Sequence, residues 1–354
     1  MDPATRLRLL RYVLILVGLI FVVGVYPLRM ALAARQVDEE PAGQALKIRI
    51  SDADHCYEFS DTNPDLAVHF CTVAIRSKRL STADLAATLN NRGSAYSGLK
   101  DYDRAIQDYN EAIRLQPSGA YAFNNRGQAY LSKGNFAEAV QNFDEAIRLE
   151  PDNAVILNNR GNAYSFQGNF DKAIGDFSEA IRLRSGYAAA FNNRGYAYSM
   201  TGNYEQAIAD YSEAIRLRRV AKFLNNRGNA YYDQHNYNRA VLDYSDAIQL
   251  KPDYALAFNN RGNAYSALAK YDLAIEDLTE AARLKPDFAE AFNNRARAYY
   301  ALSKYDQAIA DLNKAIRLEP NYPVAFNNRG NVYRSKGDED RALQDFSEAL
   351  RLPK

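Results

Sequence analysis

The sequence predicts an all-α fold: an α-solenoid of about eight tandem helix hairpins, preceded by a degenerate hairpin that caps it. Three observations carry this. The triplet Asn-Asn-Arg begins at Asn90, Asn124, Asn158, Asn192, Asn225, Asn259, Asn293 and Asn327, a spacing of 34 residues with one step of 33 before Asn225. Each unit holds two stretches of helical periodicity separated by a short turn. The same aromatic and small residues return at the same offsets. Self-similarity on this scale marks a stacked array, because one hairpin cannot bury its apolar face alone.

The unit at 120–153 shows the elements in order. Counting from its first residue, Phe123 (position 4), Gly127 (8) and Tyr130 (11) fall at i, i+4 and i+7, one face of a first helix. Gly134-Asn135 reads as a turn. Ala139, Phe143, Ala146 and Ile147 then share one face of a second helix, which Pro151 ends. Position 11 is Tyr in every unit, from Tyr96 to Tyr333, and position 20 is Ala in every unit, from Ala105 to Ala342. This pattern resembles the tetratricopeptide repeat family over 83–352, and the resemblance implies antiparallel helix hairpins stacked into a curved rod with a concave groove. The chain departs from that pattern in places. Position 7 is Arg where the family usually has Leu. The fourth unit is one residue short and lacks its closing Pro (RLRRVAKFL). Ala296 replaces Gly at position 8, and Glu339 replaces the aromatic at position 17.

Asn is a poor helix former, so its faithful return inside the first helix needs a reason. At 100° per residue, positions 4, 8 and 11 form the core face, while positions 2, 5, 6, 9, 12 and 13 fall opposite. By resemblance to the family, that opposite side lines the groove. Position 6 is the expected ligand contact: Asn125, Asn159, Asn193, Asn226, Asn260, Asn294 and Asn328, extended at position 9 by Asn162, Asn229 and Asn263. A row of side-chain amides can bond the backbone of an extended peptide without reading its sequence. The row looks like the asparagine ladder in the repeats of O-linked N-acetylglucosamine transferases, which binds peptide backbone; nothing in this chain corresponds to their transferase domain. The alternative is that the asparagines bond between helices. Duplication alone is a weaker reason, because position 2 varies freely from Ala87 to Val324. Arg at position 7 and Asp at position 23 share a flank and predict half-buried bidentate pairs, among them Arg194–Asp210, Arg227–Asp243 and Arg261–Asp277. Service of those arginines to an anionic ligand is the rival reading.

The region before the repeats divides into a signal peptide or signal-anchor (1–34), a linker (35–50) and a cap hairpin (51–80). Arg6, Arg8 and Arg11 precede the apolar run YVLILVGLIFVVGVY at 12–26, and an Ala-x-Ala site follows. The run suits either a cleaved signal or a retained membrane anchor, and both export the repeats. The expected location is therefore the periplasm, free or held at the inner membrane. Cys56 and Cys71 face across the degenerate hairpin and, in an exported protein, are expected to form a disulfide; free thiols are the alternative. The last helix, in 340–354, keeps the apolar pattern of the internal ones, which suggests self-association through that end.

The remaining functional reading follows from exclusions. Net charge is +1, with 44 Lys and Arg against 43 Asp and Glu, so there is no electrostatic case for nucleic acid. No nucleophile elbow, phosphate loop or zinc motif is present, and His55, His69 and His235 do not give metal spacing with the cysteines. No cofactor is implied and no enzyme is expected. The leading expectation is a protein-interaction scaffold of the cell envelope that binds an extended peptide or protein segment in its groove. A self-associating spacer at the membrane is the alternative. Polysaccharide held by Tyr232, Tyr300 and several Asn is a weaker one.

Overall fold

The computed structural model describes residues 51–59 and 62–352. The signal, anchor and linker expectations for 1–50 lie outside the described residues. Within them the chain forms eighteen α-helices and no strand. Helices α1 (Asp52–Phe59) and α2 (Pro64–Arg76) form the first hairpin. Eight repeat hairpins follow. They are α3 (Thr82–Gly98) with α4 (Tyr102–Leu115), α5 (Ala120–Ser132) with α6 (Phe136–Leu149), and α7 (Ala154–Phe166) with α8 (Phe170–Leu183). Next come α9 (Ala188–Met200) with α10 (Tyr204–Leu217), α11 (Ala221–Asp233) with α12 (Tyr237–Leu250), and α13 (Ala255–Ala267) with α14 (Tyr271–Leu284). The last are α15 (Ala289–Ala301) with α16 (Tyr305–Leu318), and α17 (Pro323–Ser335) with α18 (Glu339–Arg351).

Small residues set how closely the two helices of a hairpin approach. A Cβ added at Gly127 would stand 2.7 Å from Cε1 of Phe143, and one at Gly228 would stand 2.6 Å from Cε1 of Tyr244. The position-24 ring therefore lies directly on the position-8 backbone, and it is buried in both hairpins. The Ala296 departure is matched in place: its partner at position 24 is Leu312, not a ring, and both are fully buried. Turns inside the hairpins place position 15 at positive φ. Gly134, Gly168, Gly202 and Gly337 adopt it without a Cβ penalty, whereas Lys100, His235, Ala269 and Ser303 do so with one. Side-chain caps start several helices, as where Asp101 accepts from the backbone N–H of Arg104 and Asn169 from that of Lys172.

The short fourth repeat ends α10 in extended backbone at Arg218 and starts α11 at Val220, also extended. Arg219 Nη2 donates to Asp246 Oδ2 at 2.7 Å across this join. First helices of successive repeats touch each other, whereas second helices of successive repeats do not. The first helices therefore lie on the inner side of the stack. In the first hairpin, the sulfurs of Cys56 (α1) and Cys71 (α2) stand 2.12 Å apart and both residues are fully buried. The pair ties a two-turn helix to the rest, and α2 in turn packs on α3.

Candidate interaction groove

The inner face is built from first helices that are weakly amphipathic, so packing rather than propensity holds them. Their asparagines form a continuous row. The Nδ2 of each position-6 Asn donates to Oδ1 of the position-5 Asn one repeat earlier: Asn125 to Asn90 (3.1 Å), Asn159 to Asn124 (2.9 Å), Asn193 to Asn158 (3.1 Å) and Asn226 to Asn192 (2.9 Å). The row continues with Asn260 to Asn225 (3.1 Å), Asn294 to Asn259 (3.0 Å) and Asn328 to Asn293 (2.8 Å). Within a repeat, Asn192 Nδ2 donates back to Asn193 Oδ1 at 3.2 Å, and Asn124, Asn259 and Asn293 do likewise. The amides thus link repeat to repeat.

This differs from the placement expected at positions 5 and 6. The position-5 residues Asn158, Asn192, Asn225, Asn259 and Asn293 are buried between repeats and do not face the groove. Asn159 and Asn294, expected as ligand contacts, are buried as well. The reason is geometric: stacking brings one repeat's position 6 over the preceding one's position 5, and two amides in contact bond each other. Asn125, Asn193, Asn226, Asn260 and Asn328 are half-buried and keep an open edge. At position 9, Asn162 and Asn229 accept second bonds from Asn193 (3.0 Å) and Asn260 (3.1 Å), while Asn263 has no hydrogen-bond partner among the described residues.

A second row runs along the flank. Arg194 Nε and Nη2 donate to Asp210 Oδ2 and Oδ1, both at 2.8 Å, with the side chains 20% and 8% exposed. Arg227 meets Asp243 at 2.8 and 2.7 Å, and Arg261 meets Asp277 at 2.7 Å twice. Arg92, Arg160, Arg295 and Arg329 make the same fork with their own Asp. Each guanidinium also spends Nη1 on position 25 of the preceding hairpin: Arg194 on Ser178, Arg227 on Ser212 and Arg261 on Ser245, each at 3.0 Å. The Asp hydrogen bonds raise the Arg194 guanidinium above its ordinary pKa against the opposing effect of burial. Arg126 is the exception. Its position-23 partner is the neutral Asn142, and burial lowers its pKa. Sequence reasoning missed the position-25 acceptors. The signal was available, because Thr72, Asn110, Asp144, Ser178, Ser212, Ser245, Thr279 and Asn313 all recur in register and can all accept.

Models of the tetratricopeptide repeat match residues 90–154, 152–219, 255–288 and 324–354, and a model described as TPR repeat matches 228–268 and 296–337. The chain belongs to the tetratricopeptide repeat family. Among solved structures, it is similar to a chain in the crystal structure of the APC/C hetero-tetramer Cut9-Hcn1, at 18% identity and TM-score 0.59, over 79% of this chain and 54% of that one. It therefore spans about half the length of that relative. It is also similar to a tetratricopeptide repeat protein from Parabacteroides merdae, at 17% identity and TM-score 0.56, over 75% of this chain and 98% of that one. At these identities the likeness is one of fold. No curated protein matches this sequence. Tetratricopeptide arrays serve as protein-protein interaction scaffolds, and the inner face of this one carries amide edges and a row of varied position-2, 9 and 12 side chains.

Proposed function

We propose that this tetratricopeptide array is a non-enzymatic scaffold that binds an extended peptide or protein segment along the inner face of its first helices. The half-buried position-6 amides carry the reading. Each gives one N–H to the neighbouring repeat and, at Asn125, Asn226 and Asn328, has the other free for a ligand carbonyl. Spacing by repeat, not by residue type, suits backbone recognition of an extended chain. The amide row is both a joint between repeats and a binding edge. The apolar run at 12–26 extends the proposal to location: the repeats lie outside the cytoplasm, in the periplasm or held at the inner membrane, and act in the cell envelope.

A photoreactive amino acid at Ala189, exposed at position 2 of α9, tests the groove in the full-length chain in cells. Lys172, exposed on second helix α8, is the control. A discrete protein adduct from Ala189 alone is expected. Adducts to itself only, or equal adducts from both sites, would overturn the groove reading. They would favour the self-associating spacer, for which the exposed Leu343 and Leu350 of α18 (59% and 83%) are the supporting observation.

A further inference from the structure

Most polar groups of the inner face are satisfied by each other, but one cavity gathers groups that are not. It measures about 330 Å3 and is walled by Tyr232, Asn263, Tyr271, Arg297, Tyr300 and Asn331. Arg297 is exposed and forms no ion pair and no hydrogen bond among the described residues. Asn263, in the same wall, also has no hydrogen-bond partner there. Arg297 occupies position 9 of its repeat, where four other repeats carry Asn162, Asn229, Asn263 and Asn331 and three carry Ser94, Gln128 and Tyr196. It is not one of the flank arginines, all of which are engaged by position-23 and position-25 partners.

The positive field of Arg297 acts on the phenols of Tyr232 and Tyr322. Aromatic walls lower the local dielectric and strengthen attraction to an anion. A guanidinium fork matches a carboxylate, and the free Asn263 amide can donate beside it. Glu290, seven residues earlier on α15, accepts from Asn259 Nδ2 at 3.2 Å and gives the neighbouring stretch the opposite sign. Arg297 therefore gives the face a point that favours an acid; Lys222, exposed at position 2 of α11, is another unpaired cation of that face but does not line this cavity. A second cavity of about 260 Å3 shares Tyr232 and Asn263 with the first and continues to Asn229 and Asp233. On the far side Asn328 and Asn331 extend the wall. A chain can run past Arg297 in both directions, which suits an internal side chain over a chain end.

We infer that Arg297, with Asn263, anchors the carboxylate of an Asp or Glu side chain within the bound extended segment and so fixes its register. This rests on the groove reading above. Amides that bond backbone alone are blind to register, because every residue offers them the same groups. An unpaired cation beside a free amide, present together in this cavity, removes that degeneracy.

The test is selection of phage-displayed random 12-residue peptides on the full-length chain, compared with Arg297→Asn. That variant installs the residue other repeats carry at position 9, so its fold is retained. Enriched peptides are expected to share one Asp or Glu position. A synthetic, C-terminally amidated peptide from the wild-type selection is expected to bind Arg297→Asn at least tenfold more weakly, and its Gln analogue to bind both chains equally. Enrichment without an acidic position, or equal binding of the acidic peptide to both chains, overturns the anchor and leaves the groove reading standing. Binding that requires a free C-terminal carboxylate overturns the side-chain assignment. No enrichment on either chain overturns the groove reading and the anchor together.

Discussion

At the scale of single residues, the flank arginines show how a side chain foreign to the family pattern is absorbed. Arg194 is held by a carboxylate of its own hairpin and a hydroxyl of the preceding one, so all three donor groups are spent inside the fold. A double-mutant cycle on Arg194→Ala and Asp210→Ala, read by equilibrium unfolding, is expected to give a coupling of about 1–3 kcal/mol. Additive losses would mean the pair contributes little. Arg126 supplies the converse test. With Asn142 in place of Asp, its cation lacks the carboxylate its counterparts have, and Asn142→Asp should stabilise the chain by about 1 kcal/mol. A lower unfolding midpoint would contradict that. The Arg–Asp spacing was legible in the sequence because both partners keep the repeat period. The third partner was overlooked because position 25 varies among Ser, Thr, Asn and Asp, which share only the ability to accept.

At the scale of the hairpin, close approach and turn geometry decide stability. Gly127→Ala drives a Cβ into the Phe143 ring and should cost about 1–3 kcal/mol by chemical denaturation. Phe143→Leu in the same chain should recover part of it, because Leu312 already sits over Ala296 in this way. A full loss in the double variant would remove the ring as the cause. At the turn after α13, Ala269 holds a φ of 57°, and Ala269→Gly should raise stability by about 0.5–1 kcal/mol. In the first hairpin, Cys56 and Cys71 close a loop across a sequence separation of 15. Reduction is expected to loosen that hairpin by about 3 kcal/mol on the chain-entropy model, with later repeats unaffected in hydrogen exchange. The helices themselves were readable from the 3.6-residue period and the Gly and Pro punctuation. The burial of the position-5 asparagines was not, because a helical wheel shows which way a residue points within one hairpin and nothing of the repeat that stacks on it.

At the scale of the whole array, two hydrogen-bonded rows join each repeat to the next, one of amides on the inner face and one of guanidiniums on the flank. That arrangement divides the asparagines by task. Asn192, buried and bonded to Asn226 and Asn193, is a joint; Asn263, without a partner beside Arg297, is available to a ligand. The repeat period made the solenoid and its inner face legible from the triplets alone. The split between bonded and unbonded amides was not legible there, because it depends on the contact between consecutive repeats. The most direct test is the yield of the Ala189 crosslink in full-length chain carrying Asn263→Ala, measured beside its melting temperature. An unchanged melting temperature with a yield reduced by about twofold to tenfold, the worth of one hydrogen bond, is the expected result. An undiminished crosslink at the same melting temperature would contradict a groove in which the free amides hold the partner.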